Sequence, residues 1–128
     1  MRRAFVYTDA NAERTITVMG ERVGPRGDDP LPWSELDASD GVYFTAGDPS
    51  AVRAARAART LVSTARAIEP LAQARVQVDM LVSSSRDAGE QYTPGEIDPP
   101  PLLVARTAGA AGGWVEAPDG RTSKWTAA

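Results

Sequence analysis

The sequence predicts an α/β fold with a mostly parallel sheet flanked by helices and extended by a β-hairpin, and three observations carry that reading. Short runs that read as strands recur at Gly41 to Ala46, Leu61 to Thr64, Met80 to Val82 and Leu102 to Ala105, and all but the second are almost wholly apolar. Such runs are typical of strands covered on both faces, as in a parallel sheet. Helix-forming stretches separate the first three runs, and alternation of strand and helix favours a layered sheet with right-handed crossovers. Hairpin signals bracket this core at both ends of the chain.

Ala4 to Thr8 is rich in β-formers and predicts a strand. Asp9 to Glu13 is a turn, and Arg14 to Met19 alternates with period two, which completes an antiparallel hairpin over 1–20. Gly20 to Pro32 carries the breakers Gly24-Pro25, Gly27 and Asp28-Asp29-Pro30, so it is a loop, and Trp33 and Leu36 anchor a short helical turn. The α/β core is expected over 41–113. Asp48 and Pro49 match an N-cap and first helical position. Ala51, Val52, Ala55 and Ala58 can face inward from that helix, while Arg53, Arg56 and Arg59 stay near solvent. Glu69-Pro70 opens a second helix through about Ala74, and Arg86 to Gln91 forms a helical turn. Trp114 to Ala117, the turn Pro118-Asp119-Gly120, and Thr122 to Thr126 make a closing hairpin over 114–128.

Composition narrows the chemistry. The 128 residues match one domain, with net charge −3 and 42% hydrophobic residues, which is not a disordered composition. Without cysteine there is no disulfide framework or thiolate metal site, and without histidine there is no Ser-His-Asp hydrolysis and no His-ligated zinc. Thirteen of the fourteen cationic residues are arginine, scattered among 17 acidic ones, so no nucleic-acid footprint stands out. No apolar run approaches the roughly 20 residues of a membrane span, and no secretory h-region follows Met1-Arg2-Arg3. A cytoplasmic location, with no membrane or nucleic-acid partner, is the expectation.

Two constellations could carry chemistry. Thr107 to Gly113 is a glycine-rich turn after an apolar strand. Its amides can cradle an anion, with the Thr107 hydroxyl as a further donor. It is neither a Walker A loop nor a dinucleotide fingerprint, and a plain tight turn is the alternative. Ser84-Ser85-Arg86-Asp87, with Glu90 beyond, follows the Met80–Val82 strand. Ligands gather beyond the carboxyl ends of such strands, and a carboxylate there could hold Mg²⁺ directly or through water. The alternative is a capped turn in which Ser84 caps and Asp87 answers in a short capping box. Asp48 is read as a helix cap. Arg66 could pair with phosphate or be solvated, and Trp33, Trp114 and Trp125 are packing residues or a sugar-stacking surface.

The run Val78 to Asp87 resembles the "VDVLVPN" strand and N-x-x-E motif of ribokinase-like (PfkB-type) carbohydrate kinases, with Ser84 at the Asn position and Asp87 at the Glu position. Thr107, Gly109 and Gly112 match the family's T-x-G-x-x-G. Asp9 to Ile16 is similar to its "VD-x-x-GERTI" hairpin with Ala12 in place of Gly, and Asp40 to Asp48 resembles the strand that follows. The ordered set covers nearly the whole chain. The resemblance implies a partial ribokinase-like fold and transfer of the ATP γ-phosphate to a hydroxyl of a sugar or sugar-like small molecule, with Mg²⁺. It implies nucleotide binding by Ser84, Thr107, Gly109 and Gly112, and a Mg²⁺ role for Asp87. The family's glycine-rich sugar-binding segment would precede Met1 and its G-A-G-D motif would follow Ala128. No catalytic residue is therefore expected within 1–128, which would be an inactive segment, a truncated product or a non-catalytic nucleotide-binding or interaction module. Strands such as Val42 to Phe44 and Leu102 to Val104 would lose part of their cover with the flanks, which exposes an apolar patch and favours marginal stability or homo-oligomers.

Overall fold

The computed structural model describes residues 2–10, 14–20 and 23–127. Strands β1 (Arg3–Thr8) and β2 (Arg14–Met19) pair antiparallel as a separate two-stranded sheet. The turn expected at Asp9 to Glu13 lies partly outside the described residues. A six-stranded sheet follows, built from β3 (Gly41–Phe44), β4 (Thr60–Thr64), β5 (Met80–Ser84), β6 (Leu103–Thr107), β7 (Gly113–Glu116) and β8 (Thr122–Trp125), side by side in chain order. Strands β3 to β6 run parallel, and β7 and β8 add antiparallel. Helix α1 (Pro49–Ala55) links β3 to β4 and α2 (Ile68–Ala74) links β4 to β5. The β5–β6 crossover has no α-helix, only a 3₁₀ turn at Ala88–Glu90. A further 3₁₀ turn, Trp33–Ala38, stands where Trp33 and Leu36 anchor one in the sequence.

The start of α1 follows from two residues. Pro49 supplies a fixed φ at the first position, and the Asp48 carboxylate accepts the Ala51 amide at 2.8 Å. The Ser50 hydroxyl, then the Ala51 and Gly27 amides, hold the Asp48 carboxyl below its ordinary range. Asp48 is thus a cap, as its position before Pro49 suggests. Helix α1 turns Ala51, Val52 and Ala55 inward and leaves Arg53 exposed. Helix α2 contributes Leu71 and Ala74.

The sheet has two unlike faces. Residues of α1 and α2 share one buried cluster with Phe44, Leu61, Leu81 and Val104. Both helices therefore cover the same side of the sheet. The pairing register places Tyr43, Val62, Met80 and Leu103 in one row on the other side, and Val82, Ala105 and Val115 in the next. None of these side chains belongs to that cluster. On that side Tyr43, on the edge strand, is 58% exposed, Val62, Met80, Val82, Leu103 and Val115 are half-buried and Ala105 is buried, so no helix covers the strands there and their cover on this face is incomplete. β3 also ends at Phe44 rather than Ala46 and forms one edge of the sheet.

Asp79 fastens β4 to β5. Its amide donates to Leu61 O at 2.9 Å, and its Oδ2 accepts the Leu61 amide at 2.6 Å and Arg56 NH1 at 2.7 Å. The carboxylate stands in for a ladder carbonyl and meets a cation from the end of α1. Burial by itself raises the Asp79 carboxyl, but the Leu61 hydrogen bond and Arg56 outweigh it and hold the group below its ordinary value. Leu61 is fully buried, so Asp79→Ala strands its amide. A loss of about 1–3 kcal/mol in urea unfolding is expected, with less for Asp79→Asn, which keeps an acceptor. A carboxyl with a depressed folded pKa stabilises above its unfolded pKa and loses that contribution as pH falls through the folded value. The Asp79→Ala deficit should therefore be full at neutral pH and shrink below about pH 4.

The β1–β2 hairpin buries nothing: every residue of both strands is exposed, Phe5, Tyr7 and Ile16 among them. A lone two-stranded ribbon is marginal in water. Its amides are expected to exchange with deuterated solvent far faster than those of β4 and β5, whose Leu61 and Leu81 sit in the core. Equal protection in the two regions would contradict this account.

Candidate functional site at the carboxyl edge of the sheet

The parallel strands β3 to β6 all end on one edge, which gathers the loops at 45–48, 65–67, 84–87 and 107–112. Ser84 and Thr107 are register partners at the ends of β5 and β6. The Ser85 amide and hydroxyl both donate to Thr107 O, each at 2.9 Å, and the Thr107 hydroxyl donates to Ser83 O at 3.4 Å. The two constellations singled out in the sequence are therefore adjacent, pinned loop to loop.

Ser84 Oγ accepts the amides of Arg86 at 3.2 Å and Asp87 at 3.0 Å, so it caps the turn that follows β5. Asp87 does not answer back to Ser84. Its Oδ1 accepts the Gly89 amide at 2.8 Å and caps the 3₁₀ turn Ala88–Glu90. The reciprocal capping box is thus replaced by two successive caps, because the chain bends before a helix can form. Asp87 Oδ2 accepts Arg66 NH2 at 3.0 Å, and Arg66 Nε donates to Glu90 Oε1. This hydrogen bond to Glu90, chiefly, raises the Arg66 pKa further. Ser83, buried at the end of β5, donates from Oγ to Glu90 O at 2.8 Å and holds the turn in place. Arg66, read as a candidate phosphate partner, is already engaged by two carboxylates.

The glycine turn closes on itself. Ala108 N donates to Gly112 O at 2.8 Å and Gly112 N to Gly109 O at 3.0 Å. Gly109 (φ 61°) and Gly112 (φ 83°) both lie in the left-handed region that favours glycine. Their surroundings differ. A Cβ on Gly112 would stand 2.1 Å from Trp125 O, so strand β8 already demands glycine there. A Cβ on Gly109 would meet only the Arg86 guanidinium, at 3.5 Å from NH1. Gly109 is the position that stays open to a ligand. Arg86 beside it lies inside the Ser84–Asp87 run that the sequence singles out, but the sequence assigns it no role of its own. No sequence signal marks its contact, which joins the β5–β6 crossover to the β6–β7 turn.

A cleft of about 340 Å³ lies beyond β3 and β4 and is lined by Asp48 and Arg66, among others. A second, of about 650 Å³, adjoins the glycine turn and is walled by Trp114, Lys124 and Trp125. Both volumes are in the range of small-molecule sites. Among the described residues, no group of three or more His, Cys, Asp and Glu is arranged to hold a metal ion. The carboxylates present, Asp87 and Glu90, share Arg66. Two carboxylates that share one arginine do not make a site that holds Mg²⁺ by the protein alone; they could meet a hydrated ion only through water. Among the described residues, no helix is long and apolar enough to cross a membrane.

No family model and no curated protein matches the chain. A solved structure described as "Crystal Structure of Sa239" is similar over 99% of this chain, with a TM-score of 0.70 and 17% sequence identity. The chain spans about half of that protein, 49% of its length. At that identity the likeness shows the fold alone: an α/β chain whose mixed, mostly parallel six-stranded sheet carries a separate antiparallel hairpin.

Proposed function

We propose that the chain carries the nucleotide-facing part of an ATP-dependent sugar kinase of the ribokinase type. The observation that supports this best is the pairing of Ser84 with Thr107, which sets the Ser84–Asp87 turn beside the glycine turn at the carboxyl edge of the parallel strands. Phosphoryl transfer rests on positioning and on stabilising phosphate charge. In this reading the glycine turn and Ser84 lie along the phosphate chain, and Asp87 meets Mg²⁺ through water. Residues 1–128 contain no G-A-G-D sequence to supply a base or an anion hole.

Calorimetric titration with ADP and ATP, with and without Mg²⁺, is expected to show binding, while the same sample phosphorylates no sugar. Asp87→Ala is expected to abolish the Mg²⁺ enhancement of ATP affinity and to leave Mg²⁺-free binding within about twofold. An unchanged Mg²⁺ effect would leave Asp87 as a cap. Absence of nucleotide binding would overturn the kinase reading and favour a non-catalytic interaction module, which the exposed hairpin and the open sheet face also suit.

A further inference from the structure

Two arginines stand at the carboxyl edge beside the paired loops, and their situations are opposite. Arg66 is held by Asp87 and Glu90. The Arg86 guanidinium makes no hydrogen bond or ion pair with any described residue. Its backbone, however, is fixed, because the Arg86 amide donates to Ser84 Oγ. The guanidinium lies over Gly109, 3.5 Å from where a Cβ would be. A Cβ at 109 would be in van der Waals contact with this cation, so glycine lets the two loops lie close together. An arginine without a partner, held at the root and set against an open glycine, is an arrangement for a planar or tetrahedral oxyanion, which a guanidinium grips with two parallel N–H groups.

We propose that Arg86 is the phosphate-holding residue of this edge: its guanidinium binds the phosphate oxyanions of a polyphosphate ligand across Gly109, while Arg66 serves only to fix Asp87 and Glu90. This deepens the nucleotide reading given above and rests on it for the ligand's identity, though not for the anion site itself. The shared chemistry is a phosphoanhydride chain, whether free or carried on a nucleoside.

The test titrates the chain with sodium tripolyphosphate, ADP and adenosine by calorimetry, without metal, in low and high salt. The wild-type chain is compared with Arg86→Ala and Arg86→Lys. Tripolyphosphate and ADP are expected to bind the wild-type chain and to weaken by about tenfold or more in Arg86→Ala. Lysine should restore part of the loss as a point charge, and salt should weaken the wild type more than the alanine variant. Arg86→Ala should unfold at the wild-type urea midpoint, since the exposed side chain has no partner to lose. Tripolyphosphate binding that is absent in the wild type, or equal in Arg86→Ala, overturns the proposal. If ADP binds and Arg86→Ala leaves it unchanged, the nucleotide reading stands and Arg86 falls. If tripolyphosphate depends on Arg86 while ADP binds no tighter and adenosine not at all, the anion site stands and the nucleotide reading falls.

Discussion

Gly112→Ala is expected to detach β8 from the sheet and to destabilise the chain by about 2–6 kcal/mol, the sum of left-handed strain in a non-glycine residue and of overpacking. The reason is a backbone contact, which no rotamer change can relieve. A Cβ at 112 would stand 2.1 Å from Trp125 O and 2.8 Å from the Thr126 Cα. The neighbouring Gly113 is equally constrained, with the Trp125 ring lying where its side chain would go. Gly113 and Trp125 are register partners, so the indole covers the glycine across the β7–β8 pair. Relief requires β8 to move away, and Trp125 goes with it. Gly109→Ala carries the same class of strain at φ 61° but meets only a flexible arginine, so it should cost about 1–2 kcal/mol. Urea unfolding of the two variants, followed by tryptophan fluorescence, reads the contrast. Equal losses would mean that β8 is not fixed by this turn.

That contrast shows what the sequence could and could not disclose. The T-x-G-x-x-G spacing treats both glycines as nucleotide ligands, yet one is demanded by packing and the other meets only the Arg86 guanidinium. Periodicity speaks to local structure, so the hairpins, the four apolar strands and the Asp48-Pro49 helix start were legible to within a few residues. The adjacency of Ser84 and Thr107 was legible only as a corollary of parallel strands ending on one edge. What decides Arg66 against Arg86 is not local at all. Both are arginines just after a strand, and only the fold brings Glu90 back over Arg66 and leaves Arg86 over Gly109. The second sheet face was legible only in part, for a related reason. An apolar run shows that both faces of a strand avoid water, but it does not identify what covers them. Here α1 and α2 both fall on one side.

The two sides should therefore respond very differently to the same kind of substitution. Leu81 and Met80 are neighbours on β5 that point to opposite faces. Leu81 is fully buried in the cluster with Val52, Leu61 and Leu71, whereas Met80 is half-buried in a row with Val62 and Leu103 that no helix covers. Leu81→Ala removes buried methyl groups and leaves a cavity between sheet and helices, which is expected to cost about 2–5 kcal/mol. That is a large share of the roughly 5–15 kcal/mol that holds a domain together, and larger still for a chain that covers its sheet on one side. Met80→Ala should cost under about 1 kcal/mol, because its side chain gives up little desolvated area and the space opens to water rather than to a void. The open face has a second signature. Apolar side chains that no helix covers favour association as concentration rises, so sedimentation velocity should show self-association that Met80→Lys or Leu103→Lys suppresses at a stability cost of no more than about 1 kcal/mol in urea unfolding. A strictly monomeric wild-type chain at high concentration, or a Met80→Ala loss as large as that of Leu81→Ala, would mean that this face is covered by the chain itself.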